Sequence, residues 1–482
     1  MQEWDLAVIG GGAAGIVAAK TAGRFGARVG LVEATRTGGD CLWTGCVPSK
    51  SLIAAAHAAH TVRTAARFGV HTAPPRVDDA AVLAYVKAAV ARIEPVDSPA
   101  AISAAGATVL TGRAEFTGPS TLRVTGGSGE QEVRFRWAVI ATGSAPAVPD
   151  VPGLVDADPL TTETLWELAE LPRRVAVLGG GPIGCELGQA LARLGVEVTV
   201  VELADRLMGR EEPEVAALIT ERLRAEGVTV LTGTGAERVD GDALHLSDGR
   251  TIVVDRILVA VGRRPRTRDL GLTAAGVRCD DRGNVVVDGR LRTSNRRIFA
   301  AGDVTGTLRF THVAGVQGSY AATNALLGLR RRVDYAAVPW VTFTDPEVAH
   351  VGATLAEARR RHGDRVHARQ VAHEHVDRAV TDGRTDGFTH LVTGPGGRLL
   401  GATVVSPRAG ESIAELAAAI RRGDQVRDVA GTVHAYPTYA DGPWNATLAQ
   451  VRADLAGPLL SRALTGLRRF RRALHPVRGE RR

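Results

Sequence analysis

Residues 4–33 read WDLAVIGGGAAGIVAAKTAGRFGARVGLVE. The short apolar run from Leu6 to Ile9 has the length of a buried strand. Gly10, Gly12 and Gly15 follow in G-x-G-x-x-G spacing, an alanine-rich helix comes next, and a second strand, Arg28 to Val32, ends on Glu33. The glycines allow a tight turn and a close backbone approach to a pyrophosphate. The amino end of the helix attracts that anion, and the acid after the second strand accepts a ribose hydroxyl. The stretch predicts a βαβ unit that binds a dinucleotide.

Residues 173–202, RRVAVLGGGPIGCELGQALARLGVEVTVVE, repeat the pattern with Gly179, Gly181 and Gly184 and the acid Glu202. In both copies the first glycine precedes its acid by 23 residues. One glycine motif is weak evidence, whereas two copies in full strand–turn–helix–strand–acid context predict two dinucleotide sites. Further apolar runs end in glycine turns at AVIATGSAP (138–146), ILVAVGRRP (257–265) and RIFAAGDVTG (297–306), as parallel strands with short exits do. From about residue 336 the pattern changes. Strands such as WVTFTDPEVAHVG and LLGATVVS accompany helices such as ESIAELAAAIRRG, which predicts a separate α+β domain. Proline turns near 149–153 and 339 are expected boundaries. The fold class expected is α/β, with two Rossmann-like domains and a C-terminal α+β domain.

A chain of 482 residues exceeds one core and predicts about three domains. With 45% apolar residues and 56 glycines it is globular and turn-rich. No apolar run reaches the ~18 residues of a membrane span. The amino end enters an apolar strand without a basic leader, so a cytoplasmic protein is expected. The net charge of +7 is misleading: eight arginines against one glutamate between Leu459 and Arg482 account for all of it. A near-neutral body excludes a broad basic groove for nucleic acid. Leu460, Leu464, Leu467, Phe470 and Leu474 fall at helical spacing among those arginines, giving a basic amphipathic helix. It fits either a membrane surface or acidic partner, or a helix packed on a dimer with a frayed basic end.

Residues 38–50, GGDCLWTGCVPSK, hold two of the four cysteines, Cys41 and Cys46, and end on Lys50, one of only three lysines. A close pair can ligate a metal, staple a fold or act as a dithiol. A staple over so short a loop stabilises little, and no second Cys or His pair lies nearby at ligand spacing. HEH at 373–375 is expected to be an exposed strand or loop, and Cys185 and Cys279 are expected to be inert.

The two glycine motifs, the C-x4-C, the ATGSAP turn and the FAAGDVTG turn together resemble the flavin-dependent pyridine nucleotide–disulfide oxidoreductases, from Asp5 to about Trp444. Mercuric reductase-like and dihydrolipoamide dehydrogenase-like flavoproteins belong there. The resemblance implies FAD on the first repeat, NADH or NADPH on the second, and a homodimer through the C-terminal domain. It implies an FAD domain over 1–150 and 272–335, a nucleotide domain over 151–271, a dimerisation domain over 336–456 and a basic tail over 457–482. Cofactor contacts would include Gly10, Gly12, Gly15, Glu33, Gly39, Thr142, Gly143, Ser144, Gly302 and Asp303, and also Gly179, Gly181, Gly184, Glu202 and Gly262. Asp303 matches the position that meets the FAD ribityl chain. Cys41 and Cys46 would form a redox disulfide, with Cys46 facing the flavin and Cys41 exchanging with the acceptor. Lys50 would pair with Glu186 near the flavin. A helix starting at Pro48 and Ser49 would lower the Cys46 pKa. Glu202 favours NADH, because an acid repels a 2′-phosphate.

The disulfide reductases carry H-P-T-x-x-E in the C-terminal domain, a His–Glu acid–base pair supplied by the partner subunit. Here HAYPTYADGPW (434–444) puts Tyr436 and Asp441 at those positions and His434 two residues early. A tyrosine of pKa ~10 is a poor base at neutral pH. Mercuric reductase is similar in using a tyrosine there, but no cysteine follows Cys279 to supply its second pair. The expected activity is electron transfer from NAD(P)H through FAD and Cys41–Cys46 to a disulfide, a metal ion or another thiol-reactive acceptor. The alternatives are a quinone or oxygen reductase that bypasses the cysteines, and a non-catalytic flavoprotein that binds through its tail.

Overall fold

The computed structural model describes residues 2–127 and 129–475. By its internal contacts the chain divides into two units that meet at Tyr335 and Ala336.

The first unit holds both repeats. Strands Val29–Glu33 and Gly129–Ile140 flank Gln2–Ile9 in parallel, with Leu6 opposite both Val29 and Trp137. Ala107–Thr111 extends this sheet in parallel beyond Val29–Glu33, and Ile298–Ala300 joins the other side of Gly129–Ile140. The outer end of Gly129–Ile140 instead starts an antiparallel meander with Thr121–Gly126 and Arg113–Gly118. Alternation along the first strand feeds two cores. Leu6 and Val8 pack under helices Ala13–Arg24 and Thr311–Leu327, while Ala7 and Ile9 pack on the other face with Phe116 and Phe135, where Trp4 joins them out of alternation. The chain thus leaves this sheet after Ile140 and returns to it at Ile298, with the second repeat between.

That repeat builds a four-stranded parallel sheet in the order 229–232, 197–202, 174–178, 256–259. The two turns share a packing constraint. A Cβ on Gly15 would overlap the Gly10 carbonyl oxygen, and a Cβ on Gly184 would overlap that of Gly179. Only glycine lets each helix sit so close over its strand. Ser144–Pro146 and Arg263–Pro265, the exits of the two sheets, pair antiparallel.

The second unit is a five-stranded antiparallel sheet in the order 339–342, 347–352, 399–406, 388–393, 367–372. Helix Ala409–Arg422 covers its core through Ala409, Ile413, Leu416 and Ala419. HEH forms a short 3-10 turn in which Glu374 and His375 are exposed, as expected, but His373 is not. His373 is buried against the Thr389 hydroxyl at 2.9 Å, and burial lowers its pKa to about 4. No described helix is long and apolar enough to cross a membrane.

Candidate functional site

Gly39 begins the short helix Gly39–Trp43, which carries Cys41. The long helix Cys46–Thr64 starts on Cys46 itself, two residues before the predicted start, because a proline fits a first turn whose N–H groups lack helical partners. The Cys46 sulfur therefore sits at the positive end of a 19-residue helix. It lies 3.4 Å from the hydroxyl of Thr311, the first residue of helix Thr311–Leu327.

These neighbours split the two thiols. A hydrogen bond from Cys41, the Thr311 hydroxyl and the Lys50 charge lower Cys46 to about 6, against opposition from its burial and from Asp40. The same Cys46 hydrogen bond, then burial, push Cys41 far up. At neutral pH the pair holds one proton, on Cys41, and Cys46 is a thiolate. Cys185 is buried, with its thiol pushed up to about 12 by burial. Cys279 is exposed, and its pKa is also raised, by desolvation.

Lys50 lies one turn beyond Cys46 on the same helix. Its ammonium donates to the buried Glu186 carboxylate at 2.7 Å. Glu186 belongs to helix Pro182–Arg193, which opens at the second glycine turn.

The dithiol also sits on the first glycine turn. A Cβ on Gly39, whose φ is +60°, would come within 2.5 Å of the Gly12 Cα. Glu33 accepts the Gly11 N–H at 2.6 Å and the Thr35 N–H at 2.9 Å. Glu202 accepts the Gly180 N–H at 2.6 Å and the Ala204 N–H at 2.8 Å. Both acids are thus locked at the ends of their strands. Around the first turn, Asp303 accepts from the Ser144 hydroxyl at 2.6 Å, and Ser144 from Arg263 at 2.7 Å. Arg263 also pairs with Asp40 at 3.1 Å. The Gly143 carbonyl takes the Arg266 N–H, Thr142 donates to the Arg266 carbonyl, and the Gly302 N–H donates to buried Gln317 at 2.6 Å. Gly262 has φ +143° just before Arg263. These cradles of backbone and glycine fit two dinucleotides: a side chain at Gly15, Gly184 or Gly39 would overlap backbone, whereas nothing would meet one at Gly181, which leaves open space over the second turn.

The sequence reading missed Asp40, Arg263 and Thr311. Arg263 lay in the quoted ILVAVGRRP turn, but its bonds to Ser144 and Asp40 span 119 and more than 200 residues. Thr311, 265 residues from Cys46, carries no local signal.

In the second unit the structure does not bring His434, Tyr436 and Asp441 onto one another's functional atoms. The Tyr436 hydroxyl donates to Asp377, which raises its pKa. His434 pairs with Glu415 at 2.6 Å and with the Thr432 carbonyl at 3.0 Å. Asp441 is buried and accepts the Thr438 N–H at 3.1 Å as its helix begins. The Tyr436–Pro437 bond is cis.

Two dinucleotide cradles flanking a polarised dithiol define an oxidoreductase that joins nucleotide and sulfur chemistry. Comparison with known proteins agrees. The family described as Pyridine nucleotide-disulphide oxidoreductase matches residues 4–318, and its dimerisation domain matches residues 338–447. The chain is 40% identical to a mercuric reductase of Streptomyces lividans over 448 residues, 91% of this chain and 94% of that one. It is 36% identical to a dihydrolipoyl dehydrogenase of Geobacillus stearothermophilus, over 91% of this chain and 94% of that one. Among solved structures it superposes on LpdA of Mycobacterium tuberculosis with a TM-score of 0.85 at 28% identity, covering 93% of this chain and 100% of that one. The copper(II) complex of the HOCl-induced flavoprotein disulfide reductase RclA of Escherichia coli gives 0.84 at 28% identity, with the same coverage. The chain belongs to the pyridine nucleotide-disulphide oxidoreductase family, whose members use FAD and NAD(P)H, and it carries the family's dimerisation domain.

Proposed function

We propose that the first repeat holds FAD, the second holds NADH in preference to NADPH, and Cys41 and Cys46 pass electrons to a soft metal ion. Bound FAD would supply a two-electron carrier between the nicotinamide and the sulfurs. Opening a Cys41–Cys46 disulfide takes two electrons and, at neutral pH, one proton. It leaves a thiolate on Cys46 and a thiol on Cys41. Lys50 stabilises the thiolate, with Glu186 holding the ammonium in place. Arg263 pairs with Asp40, whose charge raises both thiols. Glu202, locked by two backbone donors, repels a 2′-phosphate.

The observation that carries the metal ion is the bond from Tyr436 to Asp377. Disulfide exchange needs an acid to protonate the departing thiolate and a base to deprotonate the attacker. A tyrosine already spent on a carboxylate, with its pKa raised, is neither at neutral pH. Two sulfurs closing on a soft cation only release the Cys41 proton, so no partner base is required. One relative's name, mercuric reductase, points the same way.

The test is NADH consumption by the purified protein with mercuric or cupric ion, against lipoamide and glutathione disulfide. Metal-dependent turnover that Cys41→Ser removes supports the reading. Disulfide turnover that dominates in the native chain sinks the metal preference. Turnover with a quinone or oxygen that survives Cys41→Ser would favour the cysteine-independent reading instead.

A further inference from the structure

The family match ends at residue 447, and the helix Pro458–Leu474 lies beyond it. Leu460, Leu464, Leu467, Phe470 and Leu474 on that helix are 44, 43, 56, 61 and 58% exposed. At ~100° per residue these five fall within about 120° of the helix circumference. Arg462, Arg468, Arg469 and Arg472 lie on the remaining arc, and Arg471 falls inside the apolar one, between Leu460 and Leu464. From Gly457 to His475 there is no aspartate or glutamate.

Two separate facts define the partner. The apolar arc needs an apolar cover along its whole length, and an arginine-rich arc with no acid on its own helix suits an anionic one beside it. A second copy of the same helix meets the first need and fails the second, since it sets five arginines against five. A bilayer with anionic headgroups meets both at once: its acyl boundary takes the leucines and the phenylalanine, and its phosphates take the guanidinium groups, with Arg471 reaching sideways to the headgroups. We propose that Pro458–Leu474 lies in the interface of an anionic lipid membrane and holds the enzyme there.

The test uses the full-chain holoenzyme and sedimentation with vesicles, either phosphatidylcholine alone or an equal mixture with phosphatidylglycerol. Binding to the anionic vesicles should be at least about tenfold tighter than to the neutral ones and should weaken as salt rises. The pairs Leu464→Asp with Leu467→Asp, and Arg468→Glu with Arg469→Glu, should each lose about tenfold or more while NADH turnover in solution stays unchanged. No binding to the anionic vesicles overturns the proposal and leaves an acidic protein as the cover. Vesicle binding that both pairs of substitutions leave intact overturns it too. If the leucine pair lowers the mass seen by light scattering from dimer to monomer, the face belongs to a second copy and the proposal fails.

Discussion

The two glycine repeats of the first unit are close to copies, yet only one of them carries the dithiol. Each has its helix pressed onto the strand through a glycine, and each has its terminal acid tied to the loop N–H at 2.6 Å. At the first turn the chain comes back: Gly39 packs on Gly12 and sets Cys41 and Cys46 beside it. At the second turn no atom stands within 4 Å of a Cβ on Gly181, the one thiol in contact is the buried Cys185, which donates to the Gly180 carbonyl at 3.4 Å, and Glu186 reaches out to Lys50. The repeated unit supplies a place for a dinucleotide. The chemistry is set by whatever segment is laid against that place.

The sharpest way to break this contrast is at the sulfur. Cys46→Ser should lower thiol-dependent turnover by ~10³-fold or more, since no other described thiol is polarised towards the anion. Residual rates within tenfold of the native chain would mean the first turn works without its dithiol. Next come the two glycines. Gly39→Ala forces a side chain at φ +60° within 2.5 Å of Gly12 and should cost about 1–3 kcal/mol, read as flavin lost on dialysis. Gly181→Ala, with φ −75° and open space around it, should leave flavin content unchanged and alter only the KM for nicotinamide nucleotide. Equal effects of the two would erase the asymmetry. Third, Glu202→Gln should raise the kcat/KM for NADPH relative to NADH about tenfold, while Glu33→Gln leaves that ratio alone.

The smallest effect is a shift in pH. Cys46 titrates at about 6, so its alkylation in the reduced protein should rise through pH 6 and level off by pH 7. Removing a positive partner of Asp40 frees a charge that raises the thiol, so Arg263→Gln should move that midpoint upward by a few tenths of a pH unit. A midpoint that stays put would make Arg263 a purely structural link between Ser144 and Asp40.

What could be read in the chain and what could not divides along contact distance. The repeats, their acids and the cysteine pair are patterns within 30 residues, where spacing carries the chemistry. The sequence predicts the dithiol helix two residues late because Pro48 reads as a beginning, though the backbone tolerates it anywhere in a first turn. Thr311, and the run Asp303–Ser144–Arg263–Asp40, exist only after the sheet closes on Ile298–Ala300. The sequence predicts an exposed strand or loop at HEH, and His373 departs from it. Its burial comes from the strand Phe388–Thr393, which brings Thr389 to it. The same holds for Tyr436, whose substitution for a base is plain in the chain but whose capture by Asp377 is a matter of tertiary packing.

One proton on two sulfurs has an electrochemical consequence. Below pH 6 the reduced pair carries two protons, and closing the disulfide releases both with its two electrons. Above pH 6 it carries one. The midpoint potential of the couple should therefore fall by about 59 mV per pH unit in acid and by only about 30 mV per unit at neutral and alkaline pH. The hydrogen bond from Cys41, with the Thr311 hydroxyl and the Lys50 charge, thus makes the reducing power of the pair roughly half as sensitive to acidity over the range in which most cells live.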